Sequence, residues 1–374
     1  MMLKLYTSLD IVAIVLAMIH FGIPLAYYYY MKLKYLNKPW NIRVDPNYRP
    51  RVSIIVPTYR EAKFIWDRLD NIYAQDYPRD LVEVIVIDSA SDDGTVELAE
   101  KWASRHSDIN LRLIREDERR GKAHALNHAL RYATGDIVAI ADVDAIWPSN
   151  VLAEALRWFS DPVVGAVSCL KKPMGSNVKS VEESYRQYYN ILRIAESKAY
   201  ATPIFHGELA AFRRSLLEEL KGFPTDVGAD DSYTATRIAL MGYRAIVPED
   251  FWVKEIVPNE GYFWWRVRRA QHLIQHFIKS LNKIGQAPKE FGRILAVETF
   301  LHLANPYLLL ASSILLIAST AITSSITALS ILALGAVLLI VKQYRTWVTQ
   351  QLYLIAASIR NLWTGEIVWS KQAK

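Results

Sequence analysis

The 374-residue chain has a single cysteine, Cys169. That excludes a disulfide framework, a CxxC redox pair and a cysteine zinc site. Charge is also scarce, at 22% of residues against 52% apolar, which removes disordered and collagen-like readings. No internal repeat or low-complexity tract is present. A net charge of +6 would suit nucleic acid or an anionic membrane surface equally. Two long stretches without any charge favour the membrane, and no nucleic-acid partner is expected.

The first stretch, Ile11 to Met31, runs 21 residues without a charge, and a spanning helix needs about 20. A secretory signal peptide would want a basic start and a small-residue cleavage site. Here only Lys4 is basic, Asp10 sits beside the core, and Tyr27 to Tyr30 resemble an interfacial aromatic belt. A retained transmembrane helix is expected within 1–37, followed by a polar linker, 38–50. The second stretch, Thr299 to Val341, has 43 uncharged residues. At about 1.5 Å per residue that is roughly twice a hydrocarbon core, so it predicts a helix hairpin within 294–342, turning in Ser319 to Ser325. Thr346 to Ile359, with Gln350 and Gln351, reads as an interfacial or hairpin-packed helix in the segment 343–374.

Basic residues flank these stretches: Lys32, Lys34, Lys38 and Arg43; Lys289 and Arg293; Lys342 and Arg345. The positive-inside rule puts all three clusters on the cytoplasmic side, which three spans make consistent. An integral protein of the cell membrane follows, with residues 44–290 cytoplasmic. Within 261–293, Phe263, Val267, Ala270, Ile274, Phe277 and Leu281 form one helical stripe, with Arg268, His272, His276, Lys279 and Lys283 opposite. The helix lies either on the soluble domain or in the membrane plane facing anionic headgroups; its place before the hairpin favours the membrane.

The middle of the chain alternates strands and helices. Val52–Tyr59, Val82–Asp88, Leu111–Arg115 and Ile137–Asp144 read as buried strands. Helical patterns run over Ala62–Ala74, from near Asp92 and from Lys122. This predicts an α/β fold, a mostly parallel sheet with helices on both faces, whose ligands bind beyond the carboxyl ends of the strands. Three strands end in polar chemistry: Pro57 to Glu61, Asp88, and Asp142-Val143-Asp144. Asp92 and Asp93 read as helix caps. Asp142 and Asp144, one strand period apart, project the same way. Two such charges repel unless a cation lies between them, and oxygen ligands suit Mg²⁺ or Mn²⁺ shared with substrate phosphates. The stretch Gly121 to Asn127 adds a glycine turn, Lys122 and a helix start, which suit a diphosphate.

In order, VSIIVPTYREA, VIVIDSASDDGT, GKAHALNHAL, ADVDA, HGELAAFRRSLLEELKGF and GADDSYTATRIALMGYRA resemble the inverting glycosyltransferases of family 2, from about Val52 to Gln275. The resemblance implies a GT-A catalytic domain over 51–260, a nucleotide-diphosphate sugar donor and inversion at the anomeric carbon. By matched position, Pro57, Tyr59, Glu61 and Asp88 hold the nucleoside, Lys122 contacts the diphosphate, and Asp142 and Asp144 contact donor and metal. Asp230-Asp231 matches the family's acidic pair, whose second member is the catalytic base, Asp231; taken alone, Asp230 would read as a helix cap. A base on the acceptor side and cations on the leaving side suit a single displacement.

Ser89, Ala90 and Arg60 depart from the family pattern. Of the Q-x-x-R-W motif of the cellulose-synthase branch, Trp265 to Arg269 keep only Arg268, a further candidate for the diphosphate. The layout resembles a reduced cellulose-synthase-like architecture without a pore. The resemblance implies transfer of one hexose to a lipid-linked glycan acceptor. Mannose from GDP-mannose is the expected sugar, as in similar archaeal membrane enzymes of N-glycan assembly. A polyprenyl-phosphate sugar synthase, a glycolipid synthase and a short-chain polysaccharide synthase using a UDP-sugar are the alternatives. From other classes, a nucleotidyltransferase has no use for Asp230-Asp231, and a membrane scaffold none for the carboxylates. His206 and Glu208 lie near the acceptor motif, as metal or acceptor contacts or as structural groups.

Overall fold

Thr7 starts the first helix, α1 (Ser8–Met31), with a reciprocal cap: its hydroxyl accepts the Asp10 amide, and the Asp10 carboxylate accepts its own amide. The structure, a computed structural model, describes residues 7–174, 180–258 and 260–365. Met1 to Tyr6, Lys4 among them, and the tail beyond Gly365 lie outside the described residues. Winding continues past α1 to Leu36, and Ser8–Leu36 is long and apolar enough to cross a membrane.

The chain then alternates through β1 (Val52–Thr58), α2 (Ile65–Tyr73), β2 (Val82–Ser89), α3 (Thr95–Ala103), β3 (Asn110–Glu116), α4 (Lys122–Leu130) and β4 (Ile137–Ile140). A more irregular run follows: β5 (Ala145–Ile146), α5 (Val151–Leu156), β6 (Val164–Ser168), β7 (Leu170–Met174), α6 (Ser180–Ala199), β8 (Ala210–Arg213), α7 (Arg214–Glu219), α8 (Asp230–Leu240), β9 (Arg244–Ile246) and β10 (Trp252–Ile256). The large sheet has the order β3-β2-β1-β4-β8-β6-β9, and a small one has β5-β10-β7. All neighbours in the large sheet are parallel except β8, which runs antiparallel between β4 and β6. The mostly parallel α/β sheet is as expected; the reversed β8 and the small sheet are not in the sequence pattern.

Alternation along β1 shows how the two faces are built. Val52, Ile54 and Val56 pack with α2, α3 and α5 through Leu69, Trp102 and Leu152. Ile55 faces the other way, with Leu126 of α4 and Ile238 of α8. The strand expected over Ile137–Asp144 stops at Ile140. Ala141 still donates to Ile55, but the Asp142 amide turns away to the Gly207 carbonyl, and Ala145 closes a turn onto Asp142. Asp142 and Asp144 therefore stand on a turn, with Val143 buried between them.

The C-terminal part is helical: α9 (Tyr262–Ser280), α10 (Lys289–Leu303), α11 (Asn305–Thr323), α12 (Ile326–Leu338) and α13 (Lys342–Asn361). Together α10 and α11 form a second helix long and apolar enough to cross a membrane, 35 residues from Lys289 to Thr323. The chain reverses at Ser324, within the expected turn, and the Ser325 hydroxyl donates to Asp10 at 2.7 Å. At 13 residues α12 is shorter than a full crossing, and it bends by 104° into α13. The hairpin is thus longer on its first arm and shorter on its second than the uncharged run suggested.

The exposed basic face expected on α9 is partly buried. His276 is fully buried, Lys279 pairs with Asp226, and Gln275 bonds the Gly228 amide at 3.0 Å and Asn361. Phe263 and Leu281, at the ends of the apolar stripe, are exposed. Phe277 joins Phe291 and Leu295 of α10 on the sheet's core, so α9 packs on the α/β domain. Thr346, Gln350 and Gln351 of α13 are buried.

Ala13 of α1 is fully buried against α11, where its carbonyl accepts the Ser312 hydroxyl at 2.8 Å. Small residues permit such close helix approach between apolar segments. Ala13→Leu is expected to overpack this contact by about 1–3 kcal/mol. A lower unfolding midpoint in detergent is the expected result, and an unchanged midpoint counts against the α1–α11 packing.

Candidate active site

The carboxyl ends of β1 and β2 form one end of the site. Asp88 is buried; Thr58 donates to it at 2.9 Å, and the Ser91 amide and hydroxyl donate at 2.8 and 2.6 Å. A carboxylate has about four lone-pair positions, so most of this one is spent tying the two loops together. Arg119 stacks 3.8 Å from the centre of the half-buried Tyr59 ring. Thr95 accepts the Glu61 amide at 2.7 Å, and Pro57 is the half-buried residue of its strand. The cap of α3 is Gly94, so neither Asp92 nor Asp93 is the helix cap read from sequence: Asp93 accepts the Thr95 amide at 3.2 Å from one residue earlier, and Asp92 pairs with Arg60 at 2.6 Å.

A second group gathers at the centre. Lys122 is the first residue of α4, after Gly121 at φ +108°. Its Nζ donates to Asp142 Oδ1 at 2.7 Å. Gly207 makes this contact possible: a Cβ there would stand 2.6 Å from Lys122 Nζ and 3.0 Å from Asp142 Oδ2. Asp230 and Asp231 open α8, whose cap is Ala229, so Asp230 is not the cap that its position suggested. Both gain from the positive end of the helix. Asp230 Oδ2 has no hydrogen-bond partner among the described residues, and Asp231 Oδ1 accepts the Ser232 amide at 2.6 Å.

These groups share a cavity of about 200 Å³, whose wall includes Lys122, Asp142, His206, Asp230, Asp231 and Arg268. Pro57, Tyr59, Glu61, Asp88 and Asp144 do not line it. The structure thus brings the acidic pair, the lysine and one carboxylate of Asp142-Val143-Asp144 together, with the nucleoside candidates on neighbouring loops.

Electrostatics sets the protonation states. Burial first, and then the Asp230 charge, push the Asp231 carboxyl up to about 7, against the pull of Lys122. Burial and the Asp142 charge also raise Asp230. Burial opposes the charge on Lys122, but Asp142, Asp230 and Asp231 hold it protonated. A carboxylate whose pKa lies near 7 suits general-base work, because it is both available and basic at neutral pH.

Behind the cavity lies an ion network that no sequence motif signalled. Glu255 of β10 binds Lys171 at 3.2 Å, Arg186 at 2.6 Å and also Arg269. Glu208 binds Lys171 at 2.8 Å and Arg269 at 3.5 Å. Glu182 binds Arg186 at 2.6 Å and Arg266 at 3.4 Å. Glu208 is therefore bound into the network. His206 lines the cavity; burial, with Lys171, Arg193, Arg186 and Arg269 nearby, holds its pKa well below the usual range, hence neutral. Gly207 was legible as part of HGE but not as a spacer; Lys171, Arg193 and Glu255 had no signal beyond being charges in apolar context.

Fold and site together define a GT-A-type α/β protein with a carboxylate-lined transfer site. Residues 53–221 match the family described as Glycosyl transferase family 2. A mannosyltransferase from Pyrobaculum calidifontis, PcManGT, solved in complex with GDP-Man and Mn²⁺, is 57% identical, with 95% of this chain and 99% of that one covered and a TM-score of 0.89. The chain belongs to glycosyltransferase family 2. Poly-β-1,6-N-acetyl-D-glucosamine synthase from Staphylococcus aureus is 28% identical over 254 residues, 66% of this chain. The chain spans about 60% of the length of the curated relatives it matches. TarS 1–349 of S. aureus, 18% identical with a TM-score of 0.50 over 83% of this chain and 91% of that one, is a likeness of fold alone.

Two substitutions test the electrostatics. A base works only when deprotonated, so activity falls as pH drops through its pKa. Asp230→Asn removes the charge that raises Asp231, and the acid limb of kcat/KM is expected to move to lower pH, on the order of one unit. An unmoved limb would exclude the coupling. Gly207→Ala forces Lys122 Nζ aside while leaving the sheet intact, so weaker donor binding at an unchanged melting temperature is expected.

Proposed function

We propose that this chain is an inverting mannosyltransferase that moves mannose from GDP-mannose to a lipid-linked glycan acceptor, as in N-glycan assembly. The observation that carries the reading is the single cavity holding Asp231, Lys122 and Asp142, in a chain 57% identical to a protein solved with GDP-Man and Mn²⁺. The acceptor hydroxyl attacks the anomeric carbon from the face opposite the diphosphate. Its proton passes to Asp231, the bond to the diphosphate oxygen breaks, and GDP leaves with the electron pair. Asp230 positions the pair and tunes its basicity. Lys122 and Arg268 attract the diphosphate, while Pro57, Tyr59, Glu61 and Asp88 shape the nucleoside end.

A divalent cation, Mg²⁺ or Mn²⁺, fits Asp142 and Asp144. Both are half-buried hard oxygen donors on either side of buried Val143. Among the described residues no group of three or more His, Cys, Asp or Glu is gathered for a metal, so donor phosphates and water would have to supply the remaining ligands. Bound there, the cation offsets charge on the leaving diphosphate.

The apolar segments Ser8–Leu36 and Lys289–Thr323 hold the protein in the cell membrane, with 51–260 on the cytoplasmic side. The basic flanks and the match of helix length to bilayer thickness support this arrangement. In this reading the interfacial segment 261–293 lies against the domain rather than alone in the headgroups.

Asp231→Asn keeps size and hydrogen bonding but cannot take the proton. Mannosyl transfer is expected to fall by about 10²–10⁴-fold while GDP-mannose binding is retained. Near-normal transfer by the variant would remove Asp231 from the base role. Chelator is expected to weaken GDP-mannose binding and Mn²⁺ to restore it; Asp144→Ala should reproduce the chelator's effect.

A further inference from the structure

The turn that carries Asp142 and Asp144 is held by a residue that does not line the cavity. Arg68 of α2 is 1% exposed and shares a buried helix face with Ile65, Leu69 and Ile72. Its guanidinium lies over the Trp147 ring, 4.1 Å from the centre. Its Nη1 donates to the Ala145 carbonyl at 2.9 Å and to Asn71 Oδ1 at 3.0 Å. Ala145 is the residue whose amide closes the turn onto the Asp142 carbonyl, and it pairs with Glu255 in the small sheet. Asn71 adds a second clamp: its Oδ1 accepts the Trp147 amide at 2.9 Å, and its Nδ2 donates to the Trp147 carbonyl at 2.8 Å. The Trp147 indole then donates to the Glu208 carbonyl at 2.8 Å, one residue beyond Gly207.

An apolar side chain would fill this place without the cost of taking a charge out of water. Arg68 Nε and Nη2 have no hydrogen-bond partner among the described residues. Burial lowers its pKa to about 9, against the pull of Asp142, so the guanidinium stays charged at neutral pH. Asp142 thus interacts with two cations, Lys122 within the cavity and Arg68 outside it. For a divalent cation on Asp142, the two properties of Arg68 act in opposite directions. Its charge repels the metal, whereas its hydrogen bonds fix the turn on which the ligands stand.

We propose that Arg68 is a positioning residue for the metal site: through Ala145, Asn71 and Trp147 it sets the turn that presents Asp142 and Asp144. This rests on the metal reading above and extends it to a side chain that touches neither the cation nor the donor. Orientation of the two carboxylates outweighs the repulsion from the guanidinium, so Arg68 favours metal binding despite its charge. Groups that orient metal ligands in this way are commonly worth about 10–100-fold in metal affinity.

The test uses the full chain in detergent with GDP present, as wild type, Arg68→Met and Arg68→Lys. The probe is Mn²⁺ alone, its Kd read by electron paramagnetic resonance of the free ion. Arg68→Met is expected to weaken Mn²⁺ binding by about 10–100-fold. Arg68→Lys keeps the charge and one donor, and should recover part of that loss. Unchanged or tighter Mn²⁺ binding by Arg68→Met would leave only the repulsive charge and overturn the proposal. Ala13→Leu, at the distant α1–α11 contact, separates the site from general stability. It should keep the wild-type Mn²⁺ affinity even where its melting temperature falls as far as that of Arg68→Met. A matching loss of Mn²⁺ affinity in Ala13→Leu would make Arg68 a general stabiliser and overturn its positioning role. Should Arg68→Met fail to fold, Asn71→Ser carries the test, because it removes the acceptor shared by Arg68 and Trp147 without changing a charge. Several-fold weaker Mn²⁺ binding by Asn71→Ser supports the clamp, and wild-type affinity overturns it. Failure of the wild type to bind Mn²⁺ with GDP would strike the metal reading itself, and this inference with it.

Discussion

The buried charge network around Glu255 is the constraint on which the site depends. Glu255 lies in the small sheet, and its cationic partners come from the neighbouring strand β7 and from α6 and α9. Burial opposes its ionisation, but Arg269, Lys171 and Arg186 hold it ionised, well below the usual carboxylate range. Removing one member of such a pair leaves an uncompensated charge, a cost of about 3–5 kcal/mol. The network thus fixes α6 and α9 relative to the sheets, and through Lys171 it fixes Glu208 just ahead of β8. Gly207 sits between Glu208 and His206, so the space occupied by Lys122 and Asp142 follows from that placement.

A second constraint is the close packing of α9 on the loop that leads into α8. A Cβ on Gly228 would stand 2.2 Å from the His272 ring, and the Gly228 amide donates to Gln275 at 3.0 Å. The loop leading into Asp230 and Asp231 is therefore held by a helix that also packs on α13. Backbone anchoring of this kind keeps two carboxylates together despite their repulsion, which raises the basicity of Asp231. The two are consecutive residues, so the chain itself holds them close, and the packing keeps both buried.

The fold was largely legible because its strands are short, continuous apolar runs separated by amphipathic helices, and β1 and β2 begin at the expected residues. The strand over Ile137–Asp144 was overextended for a local reason. Alternation continues through Val143, but the Asp142 amide finds its partner in Gly207, a pairing 65 residues away that no local pattern encodes. Asp231 and Lys122 were legible from their motifs, and the cavity unites them. Arg186, Arg193 and Glu255 were not, because a buried charge and a solvated one look alike until the partners are known. The face of α9 was misjudged for the same reason: His276 and Gln275 are polar, but they are turned toward the protein.

The same packing relates the site to the long apolar helices. Phe277 of α9 and Phe291 and Leu295 of α10 are part of the core on one face of the large sheet. The apolar helix that contains α10 is therefore packed into the core of the α/β domain, not tethered to it by a loose linker. Tyr188 of α6 stacks on Tyr28 of α1 at 4.8 Å and meets Trp347 of α13 at 6.0 Å, which joins both apolar parts to the helix that carries Arg193. Under the proposed function such rigidity has a physical consequence: an acceptor held in a bilayer would meet a cavity whose depth the helices fix, with no domain motion needed, so binding would cost less orientational freedom than for an acceptor free in solution.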